Sequence, residues 1–336
     1  MHHARSCMWQ HPRKVLASLF SLLTLAAFAG ASAPIHAAEW PSKPVRVVVP
    51  YAPGGIADIA ARAVSQKMAA QTGQAFIVEN RPGADTRIGT EYVSRAQGDD
   101  HVLLLAGGGF AVNNSLFKTL PYDTTRDFVP VGLVVSNPLL LVTGKDQPYK
   151  TVGEIVDAAR SGKPVTLASG GRGTLSHMSM ELLASSTSVL ITHVPYKGGS
   201  AHTADVVSGL VTGIFENPSS ALPLVRGDKY RPIAVTGSRR STALPDVPTV
   251  AESGVKDFEV INWFGLFAPA GIPDASVTAM AAELKEALSA DDLRKRFADD
   301  GVDVGGPMRA DFGAFVADET QKWSAIVESR KIRGDE

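Results

Sequence analysis

The sequence predicts an α/β protein of two lobes. Short β-branched or apolar runs alternate with helical apolar spacing from residue 45 to about residue 236. A capping box at Thr151–Glu154 restarts this alternation in the middle of the chain. About 300 residues follow the N-terminal segment, which is too long for a typical single domain. Two α/β lobes are therefore expected, joined by two crossings near residues 135–142 and 257–265.

The first strand and the first helix enclose a loop with two glycines. Val45–Val49 is a β-branched run that ends at Pro50, and helical spacing begins after Gly54 and Gly55. The start of a helix presents backbone N–H groups without partners, and glycine lets a small anion approach them. An ordinary strand-to-helix turn accounts for these residues equally well. Asp58 is expected to cap the turn, with a contact to a ligand ammonium or hydroxyl as the alternative.

The first lobe continues with further strands and helices. The expected elements are strands over 76–79, 101–105, 129–135 and 139–142 and a helix over 88–96. The run Gly107–Gly109 directly follows a strand and is predicted to be a second glycine-rich loop. Ligands bind at such carboxyl ends in open α/β sheets.

The second lobe repeats the alternation. Its expected elements are helices from 151 to about 162, over 176–184 and over 201–208, and strands over 165–169, 190–194, 211–215 and 232–236. An aromatic strand over 258–268 and helices over 276–288, 291–298 and 312–327 complete the chain. This late helical tail has no predicted strand and is expected to pack on the first lobe. The predicted domains are 38–137 with 261–336, and 138–260.

A third glycine-rich turn covers residues 170–174 and brings polar side chains to the end of its strand. Ser169 and Thr174 are candidate hydroxyl donors to a ligand, or caps of the following helix. Arg172 is either a solvated loop residue or a bidentate clamp for a carboxylate. His177 and His193 are the histidines nearest to the expected cleft. Backbone amides at three such turns could together hold an anion without an arginine.

The N-terminal segment has the order of a secretory signal peptide. Basic residues precede an apolar run over 15–29, and small residues follow it up to Ala37. The run is short for a membrane span. Removal of residues 1–37 takes away Cys7, the single cysteine, and three Lys/Arg but no Asp/Glu, so the formal net charge changes from −1 to −4. An exported protein without thiols is expected.

Composition and motifs exclude several functions. A net acidic chain does not suit nucleic acid. The turns match neither a phosphate loop nor a dinucleotide fingerprint, and no cofactor is expected. Neither metal-ligand spacing nor a nucleophile motif is present. A protein that binds rather than catalyses is expected, with an exported hydrolase that uses His177 or His193 as the less favoured alternative.

Five segments together resemble one protein family. They are 49–55 with Asp58, 78–84, 120–123, 193–199 and 244–249, which read VPYAPGG, VENRPGA, LPYD, HVPYKGG and LPDVPT. In this order they resemble the extracytoplasmic solute receptors of tripartite tricarboxylate transporters, the Bug (TctC-like) family. The resemblance covers essentially the whole chain after the N-terminal segment.

The resemblance implies a two-lobe, type II-like periplasmic binding protein with two crossover strands. It implies a small organic carboxylate held between the lobes and delivered to a membrane permease of one large and one small subunit. A monomer in the periplasm is expected, with a ligand-sensing receptor of a two-component system as the alternative output. The ligand-binding set expected from the family positions and the strand ends is Tyr51, Ala52, Pro53, Gly54, Gly55, Ile56, Ala57, Asp58, Gly108, Gly109, Ser169, Gly171, Arg172, Gly173, Thr174, His177, Pro195, Tyr196, Lys197 and Asn217.

Departures from the family pattern concern ligand specificity. Ile56 stands where family members often have a small polar residue, and Arg172 stands where asparagine is frequent. These two residues indicate a ligand with an apolar part and a second acidic group. The segment Asp85–Arg87 replaces a usual Gly-Gly-Asn-like turn.

Overall fold

Two β-sheets with associated helices form the architecture. The computed structural model describes residues 40–196 and 200–334. The strands are β1 (Val45–Val49), β2 (Phe76–Asn80), β3 (Val102–Gly107), β4 (Phe128–Pro138), β5 (Leu140–Gly144), β6 (Thr166–Ser169), β7 (Thr192–Pro195), β8 (Gly213–Glu216), β9 (Tyr230–Val235), β10 (Ile261–Pro269) and β11 (Asp303–Val304). The helices are α1 (Ile56–Thr72), α2 (Arg87–Ser94), α3 (Gly108–Leu116), α4 (Val152–Arg160), α5 (Leu175–Thr187), α6 (Thr203–Val207), α7 (Pro218–Arg226), α8 (Asp274–Ser289), α9 (Asp291–Ala298) and α10 (Arg309–Ser329).

The two sheets share a pattern of three parallel strands extended by antiparallel ones. The first sheet has the order β11-β4-β10-β3-β1-β2, in which β1, β2 and β3 are parallel and β10 is antiparallel to β3 and β4. The second has the order β7-β6-β8-β5-β9, in which β6, β7 and β8 are parallel. Parallel strands end at one edge of a sheet. Each sheet therefore collects its strand-to-helix turns at one edge.

The chain passes between the sheets twice. It leaves the first sheet at the end of β4 and enters the second at β5, with one residue, Leu139, between them. It returns between β9 and β10. Both passages agree with the predicted crossings, and the α/β fold class is confirmed.

The C-terminal helices pack on the first sheet, as predicted. Helices α8 and α10 contact β4, and α10 also contacts α3. Trp323 of α10 is fully buried, and its Nε1 donates to Glu319 Oε2 at 2.9 Å. Trp263 of β10 donates to the same oxygen at 3.3 Å, which joins helix and sheet. The prediction that this tail has no strand is wrong, because the two-residue strand β11 pairs with β4.

Two helices differ from the sequence prediction. The run Gly107–Gly109 is not a loop, because Gly107 ends β3 and α3 begins at Gly108. Burial of Phe110 and Leu116 outweighs the low helix propensity of glycine there. Helix α7 was not predicted, although Pro218 at its first position is a typical start signal.

Three sequence predictions concern residues outside the ranges that the structure describes. The signal peptide over 1–37, Cys7 and the site residue Lys197 lie outside the described residues. Within the described ranges, no helix combines the length and apolar character needed to cross a membrane.

Candidate functional site

The carboxyl edges of the two sheets meet. A Cβ added at Gly108, where α3 begins, would lie 2.3 Å from Leu175 Cδ1, the first residue of α5. At Gly109 it would lie 3.7 Å from the carbonyl oxygen of Gly173. The turn after β3 and the turn after β6 are therefore in contact. Glycine at 108 is required by this close approach.

The loop after β1 is held from behind by Asp58. This side chain is 5% exposed, and its Oδ2 accepts the N–H of Gly54 at 3.0 Å. Its Oδ1 accepts from Asn80 Nδ2 at 3.0 Å and lies 2.9 Å from a guanidinium nitrogen of Arg62. Asn80 also donates to the Tyr51 carbonyl oxygen at 3.2 Å. The structure thus shows the predicted capping role of Asp58.

The ionisation of Asp58 follows from these contacts. Burial raises the pKa of the carboxyl, but hydrogen bonds from Arg62, Gly54 and Asn80 outweigh burial and hold the pKa below its ordinary value. The carboxylate is therefore charged at neutral pH and occupied by donors of the protein.

The same loop leaves backbone donors open. Residues 52–55 are exposed, and α1 begins at Ile56 with its first internal hydrogen bond from Ile59 to the Gly55 carbonyl. The N–H groups of Gly55–Asp58 find no acceptor among the described residues. Such a set is the positive end of a helix and favours a negatively charged ligand.

Tyr51 links this loop to the turn after β3. Its hydroxyl accepts the N–H of Gly107 at 3.2 Å, and its ring packs edge-on against Phe264 at 5.5 Å. Burial raises the pKa of the Tyr51 phenol, so it stays protonated. The contacts make Tyr51 a support of the loop, and direct ligand contact stays a prediction.

The loop after β6 uses most of its polar groups internally. Ser169 is fully buried, and its Oγ accepts the N–H of Gly171 at 3.1 Å. Thr174 Oγ1 donates to the Gly171 carbonyl at 2.7 Å and accepts the N–H of His177 at 3.4 Å, which caps α5. His177 Nδ1 accepts the N–H of Gly173 at 3.2 Å. These residues set the shape of the loop, and fewer of its amides remain for a ligand than the sequence suggested.

Two stacked histidines lie below this loop. The rings of His177 and His193 are 3.9 Å apart and 19° from parallel. His177 Nε2 lies 3.5 Å from Glu181 Oε1, and Arg330 at the end of α10 donates to the other oxygen at 2.8 Å. His193 Nε2 lies 2.6 Å from Ser169 Oγ. His193 is absent from the predicted ligand set, although its place near a strand end marked it in the sequence.

Electrostatics keep His193 neutral. Burial, followed by repulsion from His177, lowers its pKa from 6.5 to about 3. Burial raises the pKa of Glu181, but bonds from His177 and Arg330 outweigh it, and the net pKa is lowered. Ser169 and His193 lack the arrangement of a hydrolase, because the serine is fully buried and so low a pKa makes the histidine a weak base.

Other predicted site residues have different partners. Arg172 donates to the Arg333 carbonyl oxygen at 3.1 Å. Pro195 ends β7, and the Tyr196 hydroxyl donates to Asp205 Oδ2 at 2.5 Å. Ile56 packs partly buried against the first-sheet core.

Asn217 joins both crossings to the second sheet. Its Oδ1 accepts from Asn137 at the end of β4 (3.2 Å) and from Asn262 at the start of β10 (2.8 Å). Asn137 and Asn262 are direct partners across the two strands and are both buried. Asn217 is therefore placed where the sheets connect, which no sequence motif indicates.

A cluster of Asp99, Asp100 and His101 lies away from these loops. His101 Nε2 accepts the N–H of Ser42 at 3.1 Å, and its Nδ1 lies 2.6 Å from Asp100 Oδ1. Asp100 also accepts from Ser276 at 2.6 Å. These partners give the cluster a structural role at the N-terminal end of β3.

Two α/β sheets, two crossings and facing strand-to-helix turns are the fold of periplasmic binding proteins. The model of the TctC family, the tripartite tricarboxylate transporter family receptor, matches residues 60–332. The chain belongs to this family. It is 33% identical over 305 residues to the protein BugT of Bordetella pertussis, covering 90% of this chain and 93% of BugT.

Solved structures agree with this assignment. The periplasmic binding protein BugD is similar with a TM-score of 0.78 and 30% identity, covering 88% of this chain and 99% of that one. Rpa4515 of R. palustris with adipate has a TM-score of 0.79 and 31% identity, covering 86% and 97%. MatC of Rhodopseudomonas palustris with bound malate has a TM-score of 0.77 and 33% identity, covering 86% of this chain and 100% of that one. The chain is thus similar to receptors that were solved with small carboxylates.

Proposed function

We propose that this protein captures a small organic carboxylate between its two sheets and delivers it to the membrane permease of a tripartite tricarboxylate transporter. In this proposal residues 1–37 direct export to the periplasm, and the protein acts as a monomer without catalysis. The lobes are 38–137 with 261–336, and 138–260. The ligand binds the closed form more tightly than the open form, because both lobes supply contacts in the closed form. Ligand binding therefore shifts the protein towards the closed form.

One observation carries the proposal. The start of α1 presents four consecutive N–H groups, Gly55–Asp58, that find no acceptor among the described residues. The loop before them, residues 52–55, is exposed and is fixed in place by Asp58. Charge-assisted hydrogen bonds of this kind contribute roughly 1.5–3 kcal/mol each. Preorganised donors also avoid the cost of ordering a loop on binding. The ligands of Rpa4515 and MatC, adipate and malate, supply the matching acceptors.

The test removes one of these donors and leaves the helix intact. Ile56 occupies the first helical position, where proline is tolerated, and Gly55 has φ −80° and ψ 170°, which suit a residue before proline. Ile56→Pro therefore deletes one N–H group, and Ile56→Ala is the matched control for loss of the side chain.

Calorimetry with a panel of carboxylates that includes malate and adipate measures the effect. Ile56→Pro is expected to bind roughly 10- to 100-fold more weakly than Ile56→Ala, which corresponds to one charge-assisted hydrogen bond. Circular dichroism and urea unfolding check that both variants fold. Equal affinity of two folded variants for the bound carboxylate contradicts a carboxylate site at the start of α1.

A further inference from the structure

Asp85, in the first half of the chain, faces loops of the second sheet. It lies in the exposed turn between β2 and α2. Its Oδ1 is 3.8 Å from the position of a Cβ at Gly171, in the loop after β6 of the second sheet. This Cβ position at Gly171 is also 3.5 Å from the carbonyl oxygen of Tyr196, the residue after β7. Asp85 thus reaches the loops that face α1 and α3.

This carboxylate has no partner of its own. Across residues 40–196 and 200–334, its carboxylate takes part in neither an ion pair nor a side-chain hydrogen bond. The other acids near these loops differ, since Asp58 is paired with Arg62 and Glu181 with Arg330. An exposed carboxylate without a counter-charge among the described residues attracts a cationic group.

The turn fixes the direction of Asp85. Ala84, Asp85 and Thr86 have φ of 46°, 51° and 73°, a left-handed run that leaves little freedom to the backbone. Arg87, the next residue, does not neutralise Asp85. Its Nε donates to the Ala84 carbonyl at 2.9 Å, and its guanidinium lies 4.0 Å from the centre of the Phe117 ring.

We propose that Asp85 selects ligands that carry an ammonium or similar cationic group in addition to the carboxylate. This inference rests on the proposed function. The carboxylate of such a ligand lies on the open N–H groups of α1, and its cationic group faces Asp85. A second acidic group on the ligand, which Arg172 suggested in the sequence, is disfavoured by repulsion from Asp85.

The test compares ligands that differ in this group alone. Aspartate carries an ammonium group where malate carries a hydroxyl. 2-Aminoadipate carries an ammonium group where adipate carries a hydrogen. Calorimetry at low and moderate salt gives the affinity ratio within each pair for the wild type, Asp85→Asn and Asp85→Lys. The control is Asp318→Asn, which removes the same charge from an exposed position of α10 that forms no ion pair or side-chain hydrogen bond with the described residues.

The wild type and Asp318→Asn are expected to prefer the ammonium ligand about tenfold or more, with a smaller ratio at higher salt. Asp85→Asn is expected to bring the ratio close to one, and Asp85→Lys to reverse it. An unchanged ratio in Asp85→Asn, or a wild type that prefers the ammonium-free member, overturns this inference and leaves the proposed function standing. Absence of binding by every carboxylate overturns both.

Discussion

Asp58→Ala tests whether the loop before α1 depends on one buried carboxylate. The substitution removes the acceptor of Gly54 N–H and Asn80 Nδ2, both at 3.0 Å. Hydrogen bonds to a charged group contribute about 1.5–3 kcal/mol each. Arg62 adds only about 0–1 kcal/mol, because its side chain is 54% exposed. Since Gly54 and Asn80 can reach water after the change, we expect a total loss of about 2–4 kcal/mol in the free energy of unfolding.

The loss depends on pH in a defined direction. The pKa of Asp58 is lowered in the folded protein from its ordinary value of 3.8. Below that ordinary value the unfolded chain binds a proton that the folded protein still excludes, so the free energy of unfolding falls with falling pH. The advantage of the wild type over Asp58→Ala is therefore full at neutral pH. It decreases as the pH falls from about 4 through the lowered folded-state pKa.

Urea unfolding at pH 7, 5 and 3 measures both effects, with Asp292→Ala as the control. Asp292 is 73% exposed on α9 and pairs with Lys67 of α1 at 2.6 Å. This exposed ion pair is expected to contribute about 0–1 kcal/mol. Asp58→Asn keeps one acceptor oxygen, so its free energy of unfolding is expected to lie between those of Asp58→Ala and the wild type.

The reasoning is refuted if Asp58→Ala and Asp292→Ala have the same stability at pH 7. It is also refuted if the difference between wild type and Asp58→Ala is undiminished at pH 3. A stable Asp58→Ala with unchanged carboxylate affinity would show that the loop is ordered by other contacts.

Further variants test other contacts. Gly265→Ala places a Cβ 2.1 Å from the Phe312 ring and is expected to cost about 1–3 kcal/mol or more in the free energy of unfolding. Gly153→Ala in α4 places a Cβ in ordinary contact, 3.8 Å from Thr151 Oγ1, and is expected to gain about 0.5–1 kcal/mol; urea midpoints measure both. Asn217→Ala leaves two buried asparagine amides without their shared acceptor and is expected to cost about 1–3 kcal/mol by the same assay. His193 is expected to stay neutral from pH 7 to pH 4 in NMR titration, and an inflection near 6.5 contradicts this. Because its folded pKa of about 3 is below the unfolded value, its stability contribution falls as pH drops from 6.5 towards 3, and His193→Gln flattens that decline.

The parts of the fold that were predictable have strong local signals. The first strand is a β-branched run with a proline directly after it, and Val45–Val49 is its extent in the structure. The capping box is equally local, since Thr151 accepts the N–H of Glu154 at 3.1 Å. Apolar runs without alternation indicated buried parallel strands such as β3.

The parts that were missed depend on distant residues. Helix α3 begins with two glycines and forms because its later residues Phe110 and Leu116 are buried, which no local propensity shows. Strand β11 has two residues and no period. The partners of Asn217 are 80 and 45 residues away, so its place between the crossings appears only in the folded chain.

The candidate site shows that the glycine-rich turns are not equivalent. The sequence suggested three turns that present amides in the same way. In the structure the turn after β1 is held by the Asp58 side chain, which accepts a single backbone N–H, that of Gly54. The next four amides find no acceptor in residues 40–196 and 200–334. The turn after β6 instead uses the amides of Gly171 and Gly173 for its own shape. Under the proposed function, the first sheet therefore supplies the main-chain donors that any carboxylate can use. Side chains at the gap, above all Asp85, then have to distinguish one carboxylate from another.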